Sequence, residues 1–519
     1  MTRPKYKVLL VTQQYHPIHL ADDRIYIVEP IQYEVLASLL DRDEVAISLL
    51  DQRLDRRPSA LLETLKRVRP DFVGFTSWTM HVSLVRAQAA LVKRFDPSIS
   101  VAVGGHHAGL SPADFADPNI DYVMMGEAYQ SFRDLIQRCR DSERDVSDLA
   151  GVAWQEDGMF FSNGTAVVPR AFDLDSLPIP DRSILGDYKG QYYHLWWKPV
   201  AALRTSMGCP ARCSFCNLWR PNLGKFLTWS PEYIVDYLKT IDEPYIIFTD
   251  DHFFGDGRRA HAIGEAILRS GIKKQYLFYS RADAIVRDPS LVELWSRVGL
   301  KRLRMGLESY SDSELGAMEK GSSVAHNDKA IEILKRHQVL IEGLFIVGVD
   351  YTADQFANLT NYIRSRKIDI PNITVATPMP GTTDYTKSEA SLTYRNPTYY
   401  DFQHAVLPTK LDIKEYCHLY GKMLLKVQRP PSEQIRRIGF WKFLWNVPSF
   451  WLYFLRVYTS HKHYGYVERT LAEMPTIPWV ERRLGACATK SSVQDQQVIQ
   501  DDRDDMHNIG ELVPTGTTA

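Results

Sequence analysis

Five apolar runs punctuate the first third of the chain: "YKVLLVTQ" (6–13), "VAISLLD" (45–51), "FVGFTSW" (72–78), "SVAVGGHH" (100–107) and "YVMMGE" (122–127). Each is short and nearly continuous, and the gaps between them leave room for helices. Continuous apolar strands alternating with helices predict a parallel sheet covered on both faces. The five-strand count predicts an α/β, doubly wound, flavodoxin-like domain over residues 1–145. A second series follows: "YIIFTDDHFF" (245–254), "YLFYSRADAIV" (276–286), "LKRLRMGLES" (300–309), "IEGLFIVGVD" (341–350) and "NITVATPMPGT" (372–382). Each reads as a strand running into a polar or glycine-bearing loop. In such sheets ligands gather at the C-terminal strand ends. Between the two series, within a linker over 146–195, "GVAWQEDGMFFSNGTAVVPR" reads as a hairpin turning at Asn163-Gly164-Thr165. That tripeptide also matches a glycosylation sequon, but a turn is the simpler reading.

The length of 519 residues exceeds one core and suggests roughly three domains. A formal net charge of −1 argues against a nucleic-acid partner, which would need a basic face. The opening apolar run is too short for a signal peptide, so the expectation is a cytoplasmic location. In that compartment cysteines stay reduced, and a cluster of them points to metal or redox chemistry.

Three of the six cysteines lie in "TSMGCPARCSFCNLWR" (205–220), as Cys209, Cys213 and Cys216. Structural zinc asks for four ligands, and His194 and His252 lie at unhelpful spacing. A disulfide leaves one thiol over. An iron–sulfur cluster fits best, since thiolates are its natural ligands and three of them leave one iron open. Gly208 and Pro210 suit a tight loop around a cubane, and Phe215 would shield it. Cys139, Cys417 and Cys487 stand alone and read as structural.

The C-x3-C-x2-C spacing resembles the signature of the radical S-adenosylmethionine (SAM) enzymes, in which the open iron of a 4Fe-4S cluster chelates SAM. The resemblance implies a partial (β/α)6 barrel over 196–425. It implies that Asp250 and Asp251 meet the SAM amino group, that Ser280 and Arg281 meet its carboxylate and ribose, and that Glu308 of "GLES" accepts from the ribose hydroxyls. A guanidinium can grip a carboxylate through two hydrogen bonds, which suits Arg281. The first domain resembles the cobalamin-binding domain that precedes many such cores. It implies cobalamin contacts at Thr76, Ser77, Gly104, Gly105, His106, Gly126 and Glu127. Two glycines after a strand allow a large flat ligand close to the backbone. The D-x-H-x-x-G motif of classical cobalamin domains occurs at Asp250–Gly255, but inside the wrong domain, and is read as coincidence. His16 and His19 occupy the matching loop without that spacing, so cobalamin is expected without a histidine on cobalt. His106-His107 reads as ligand-facing rather than as a metal site.

Through "GCPARCSFCNLW", "TDDHFF", "GLES", "TPMPGT" and "IVEPIQYEVLASLL", residues 5–425 resemble the cobalamin-dependent radical SAM C-methyltransferases, hopanoid C-3 methylases in particular. The implied reaction is hydrogen abstraction by a deoxyadenosyl radical and methyl transfer from methylcobalamin to an unactivated carbon. The substrate would be a small molecule or a hopanoid-like lipid, with an electron donor such as flavodoxin or ferredoxin. Methylation of an antibiotic precursor, cyclisation without methyl transfer, and a cobalamin or cluster sensor are the alternatives. The stretch 438–458 holds nine aromatic residues, among them Trp441, Trp445 and Trp451, while Lys442, Pro448 and Arg456 argue against a spanning helix. It reads as part of a small, mainly helical region (426–487) or as an interfacial anchor giving peripheral membrane contact. The polar tail 488–519 is expected to be disordered.

Overall fold

Strand Tyr6–Thr12 (β1) pairs in parallel with Val45–Asp51 (β2) on one side and Phe72–Thr76 (β3) on the other. Ser100–Gly104 (β4) and Tyr122–Met124 (β5) continue the parallel sheet. The order β2-β1-β3-β4-β5 is the doubly wound arrangement that the apolar runs predict. Its strands are buried on both sides, by Ile31–Ser38 (α1) and Tyr129–Asp141 (α5) on one face, and by Ala60–Val68 (α2) and Val82–Phe95 (α3) on the other. A short helix, His106–Leu110 (α4), follows β4 directly. The computed structural model describes residues 5–16, 18–20, 26–169, 171–221, 224–429, 451–453 and 455–464.

The predicted hairpin forms, with a different turn and a different place. Val152–Glu156 (β6) and Met159–Ser162 (β7) turn at Asp157-Gly158, both at positive φ (48° and 72°). That is the backbone a two-residue hairpin loop asks for. Asn163-Gly164 lies beyond β7. The hairpin extends the first sheet, β6 running antiparallel to β5, with Trp154 opposite Tyr122.

The second sheet is six parallel strands in sequential order: Val200–Leu203 (β8), Tyr245–Phe248 (β9), Gln275–Arg281 (β10), Leu300–Glu308 (β11), Leu340–Val347 (β12) and Ile370–Val375 (β13). Pro231–Lys239, Gly257–Ser270, Ser290–Val298, Val324–Arg336 and Ala353–Ser365 are among the covering helices. Several of these helices begin at a side-chain cap, for example Ser230 accepting from Tyr233 N and Asp256 accepting from Arg259 N. Along β11 the side chains alternate: Leu303, Met305 and Leu307 enter the apolar core, whereas Arg302, Arg304 and Glu308 share the other face. On that face, Arg304 Nε donates to Glu342 Oε2 at 2.9 Å, and Arg302 sits between the rings of Trp196 and Trp197, 4.0 Å from each centroid. This charged packing fills the sheet's inner face toward the N-terminal strand ends and leaves the C-terminal ends for the site. Most of the expected helical region 426–487, Trp441 and Trp445 within it, and the tail 488–519 lie outside the described residues. Among the described residues, no helix is long and apolar enough to cross a membrane.

Candidate active site

The cysteine loop springs from the C-terminal end of β8. Its base is closed where Ser206–Met207 pairs antiparallel with Leu227–Thr228. Gly208 turns the chain at φ 80°, and Cys216 N donates to Cys213 O at 3.2 Å. Cys213 is buried, and Cys209 and Cys216 are half-buried; none forms a disulfide. Burial pushes the Cys209 thiol up to about 11 and the Cys216 thiol up to about 12, so iron would have to displace their protons. Arg281 Nη1 lies 3.4 Å from Cys213 Sγ, a donor suited to a thiolate. Among the described residues, no three His, Cys, Asp or Glu side chains are placed to hold one metal ion. A cubane instead takes each thiolate on a separate iron, and three thiols on one short loop fit that chemistry.

Around this loop the predicted SAM contacts separate into different roles. Asp250 lies off the cavity lining. It is buried, and its carboxylate accepts from Thr205 N (2.9 Å), Thr205 Oγ1 (2.7 Å) and Ser206 Oγ (2.6 Å). Those donors make it a brace for the cysteine loop. Asp251 faces a cavity instead, and burial raises its carboxyl to about 6. Ser280 is buried, with its hydroxyl 3.5 Å from Arg281 O. Arg281 is shared with Asp283 (2.8 Å). Glu308 forms a buried ion pair with Lys320 at 2.6 Å. It stands at φ 59°, at a register shift where β11 meets β12. A left-handed backbone at a non-glycine residue is a cost that functional sites commonly carry.

The cavity, of about 400 Å³, opens over the C-terminal ends of the first sheet. Thr76, Gly104, Gly105, His106, Gly126 and Glu127 line it. Gly105 (φ 95°) has no room for a side chain, because a Cβ would meet Thr76 Oγ1 at 2.5 Å. Ser77 is set back from the cavity. It is wholly buried, its hydroxyl donates to Trp78 O, and it does not line the cavity. Trp78, next in the same loop, does line it. The deep end, with Leu10, Gly74, Ala102 and Phe132, is apolar and close to backbone, a cradle that fits a large flat cofactor. The opposite wall comes from the barrel: Arg204, Gly208, Thr249 and Asp251. Arg204 Nη2 donates to Glu127 Oε1 at 3.1 Å, joining the two domains across the cavity.

The suspected histidines stand elsewhere. His19 Nδ1 accepts from His16 N and its Nε2 meets Thr398 O, both at 2.9 Å, and neither His16 nor His19 lines the cavity. His252, of the misplaced D-x-H-x-x-G, is buried beside Gly255 and away from the cavity lining.

A B12 binding domain model matches residues 20–136, and a radical SAM superfamily model matches residues 203–384. The hopanoid C-3 methylase of Methylococcus capsulatus is 30% identical over 422 residues, covering 80% of this chain and 78% of that protein. The chain belongs to the cobalamin-dependent radical SAM methyltransferases. A second member of this set of relatives, an uncharacterized methyltransferase of Pyrococcus horikoshii, is 26% identical over 68% of this chain and 77% of its own. Among solved structures, the cobalamin-dependent S-adenosylmethionine radical enzyme OxsB with aqua-cobalamin bound shares the fold. Its TM-score is 0.65 at 17% identity, covering 88% of this chain and 72% of that one. The family's cofactors are cobalamin, SAM and the 4Fe-4S cluster.

For a cobalamin-dependent radical SAM enzyme, the sequence reading missed three residues of interest. Arg204 is a charged residue immediately after a barrel strand, a signal that strand-end logic could have caught. Asn217 directly follows Cys216. Lys320 gave no signal, because its pairing with Glu308 depends on the path of the chain between them.

Proposed function

We propose that this protein methylates an unactivated carbon of a hopanoid-like lipid. The observation that carries the reading is the shared cavity: Gly208, beside Cys209, and Asp251 form one wall, and the glycine-lined loops of the first sheet form the other. When bound, SAM on the cluster supplies the hydrogen-abstracting radical, and cobalamin supplies the methyl group. Cys209, Cys213 and Cys216 hold the cluster. Glu308, Arg281, Ser280 and Asp251 orient SAM. Thr76, Gly104, Gly105, His106, Gly126 and Glu127 seat the cobalamin, with no histidine on cobalt. Arg204 and Glu127 bind the two domains together so that water is kept from the reacting carbon.

The lipid class is supported by the name of the Methylococcus relative and by one exposed apolar helical face. Trp451, Leu452, Leu455 and Tyr458 are 61%, 47%, 61% and 37% exposed. Aromatic side chains of this kind sit at the headgroup level of a bilayer, giving the protein peripheral membrane contact. The test is anaerobic incubation of reduced, reconstituted protein with SAM, cobalamin and hopanoid. A product heavier by one methyl group, with both 5′-deoxyadenosine and S-adenosylhomocysteine released, supports the reading. A methylated polar metabolite in place of a lipid, found by comparing cells with and without the gene, would end the lipid assignment.

A further inference from the structure

The cavity and the cysteine loop are joined by a second link, on residues of no role so far. Asn217 Nδ2 donates to Pro380 O at 3.2 Å, in the loop after β13. That bond fixes the amide's orientation and leaves Oδ1 facing the first domain. His106 Nε2 lies 2.8 Å from this oxygen. An oxygen can only accept, so His106 carries its proton on Nε2. Its other nitrogen, Nδ1, is then a bare lone pair, and among the described residues no hydrogen-bond partner meets it. His106 lines the cavity and packs against Trp78, with ring centroids 5.2 Å apart. Nearby, the loop after β13 packs closely on α4: a Cβ on Gly381 would come within 2.9 Å of the Leu110 side chain.

We propose that Asn217 is a positioning residue for cobalamin, acting through His106. The cluster loop holds the imidazole in one tautomer and one orientation. Nδ1 then accepts a hydrogen bond from a side-chain amide at the rim of the corrin. His106 is thereby tied to the cysteine loop of the barrel while it lines the cavity of the first domain. The consequence is registration: the loop that carries the cluster also sets where the corrin sits. A ring nitrogen paired with a fixed acceptor is the usual device by which an outer residue orients an inner one.

This inference rests on cobalamin occupying the cavity. The test is titration of the reconstituted full chain with hydroxocobalamin, followed by tryptophan quenching, with iron content measured for each variant. A variant that loses iron is compared with wild type stripped of iron. His106→Phe and Asn217→Leu are each expected to weaken binding about tenfold, the scale of one hydrogen bond. The double variant should be no weaker than either single one, because both remove the same interaction. Asn217→Asp keeps the accepting oxygen and should bind nearly as wild type does. Three results overturn the inference: Asn217→Leu binding as wild type, Asn217→Asp as weak as Asn217→Leu, or single effects that add. Wild type that binds no cobalamin overturns the cobalamin site itself, a different failure.

Discussion

At Glu308, a proposed SAM contact, the backbone and the side chain are both unusual. The register shift turns its carboxylate toward Lys320, and Gly306 makes the space. A Cβ at Gly306 would meet Glu308 Oε1 at 2.4 Å and Lys320 Nζ at 2.8 Å. Gly306→Ala should therefore displace the pair and weaken SAM binding by about tenfold or more in calorimetry, roughly the loss of one charged hydrogen bond. The iron content should be unchanged, and unaltered SAM affinity would remove Glu308 from the site. Cys213→Ala should abolish the cluster's visible absorbance and the cleavage of SAM; a full cluster in that variant would contradict the ligand assignment. The cysteine loop stood out in the sequence because thiolate spacing is itself the chemistry. Asp250 did not. Nothing in "TDD" tells which aspartate turns inward, since the donors that claim Asp250 come from Thr205 and Ser206, on another strand end.

Elements show the same division. Apolar continuity revealed the five parallel strands of the first sheet, because burial on two faces leaves few polar positions to confuse the pattern; in the second sheet it marked five of the six strands and passed over the short Val200–Leu203. It did not locate the hairpin turn. Asp157-Gly158 and Asn163-Gly164 carry the same turn chemistry, and only the pairing of β6 with β7 and β5 decides between them. The β4–α4 turn is the element on which the cobalamin reading depends. Gly105→Ala places a methyl 2.5 Å from Thr76 Oγ1 and 2.7 Å from Ser77 N, at a φ that alanine avoids. We expect a lower thermal midpoint, by about one degree or more, for a cost of about 1 kcal/mol or more. Hydroxocobalamin should bind more weakly, with SAM binding retained. Normal cobalamin affinity in this variant would place the cofactor elsewhere.

Across the whole molecule, burial holds several histidines neutral. Desolvation lowers His19 and His194 to about 4, and His81 and His252 to about 3, from an ordinary 6.5. These folded values lie below the unfolded one. Their contribution to stability is therefore present above pH 6.5 and is lost as pH falls toward 4. At about pH 5 each should cost on the order of 2 kcal/mol relative to neutral pH. The urea midpoint should fall steeply between about pH 7 and pH 5, and a flat profile over that range would refute the burial argument. None of this was legible from sequence, because each histidine is buried by segments distant in the chain; His19, for instance, is held by Thr398. The two-domain layout was legible, but the single cavity they share was not. In the proposed function both cofactors work in that cavity on one carbon. It is tested most directly by quantifying both SAM-derived products in one anaerobic reaction with hopanoid. The account predicts 5′-deoxyadenosine and S-adenosylhomocysteine rising together, one of each per methylated product. Methylated product with S-adenosylhomocysteine but no 5′-deoxyadenosine would contradict it.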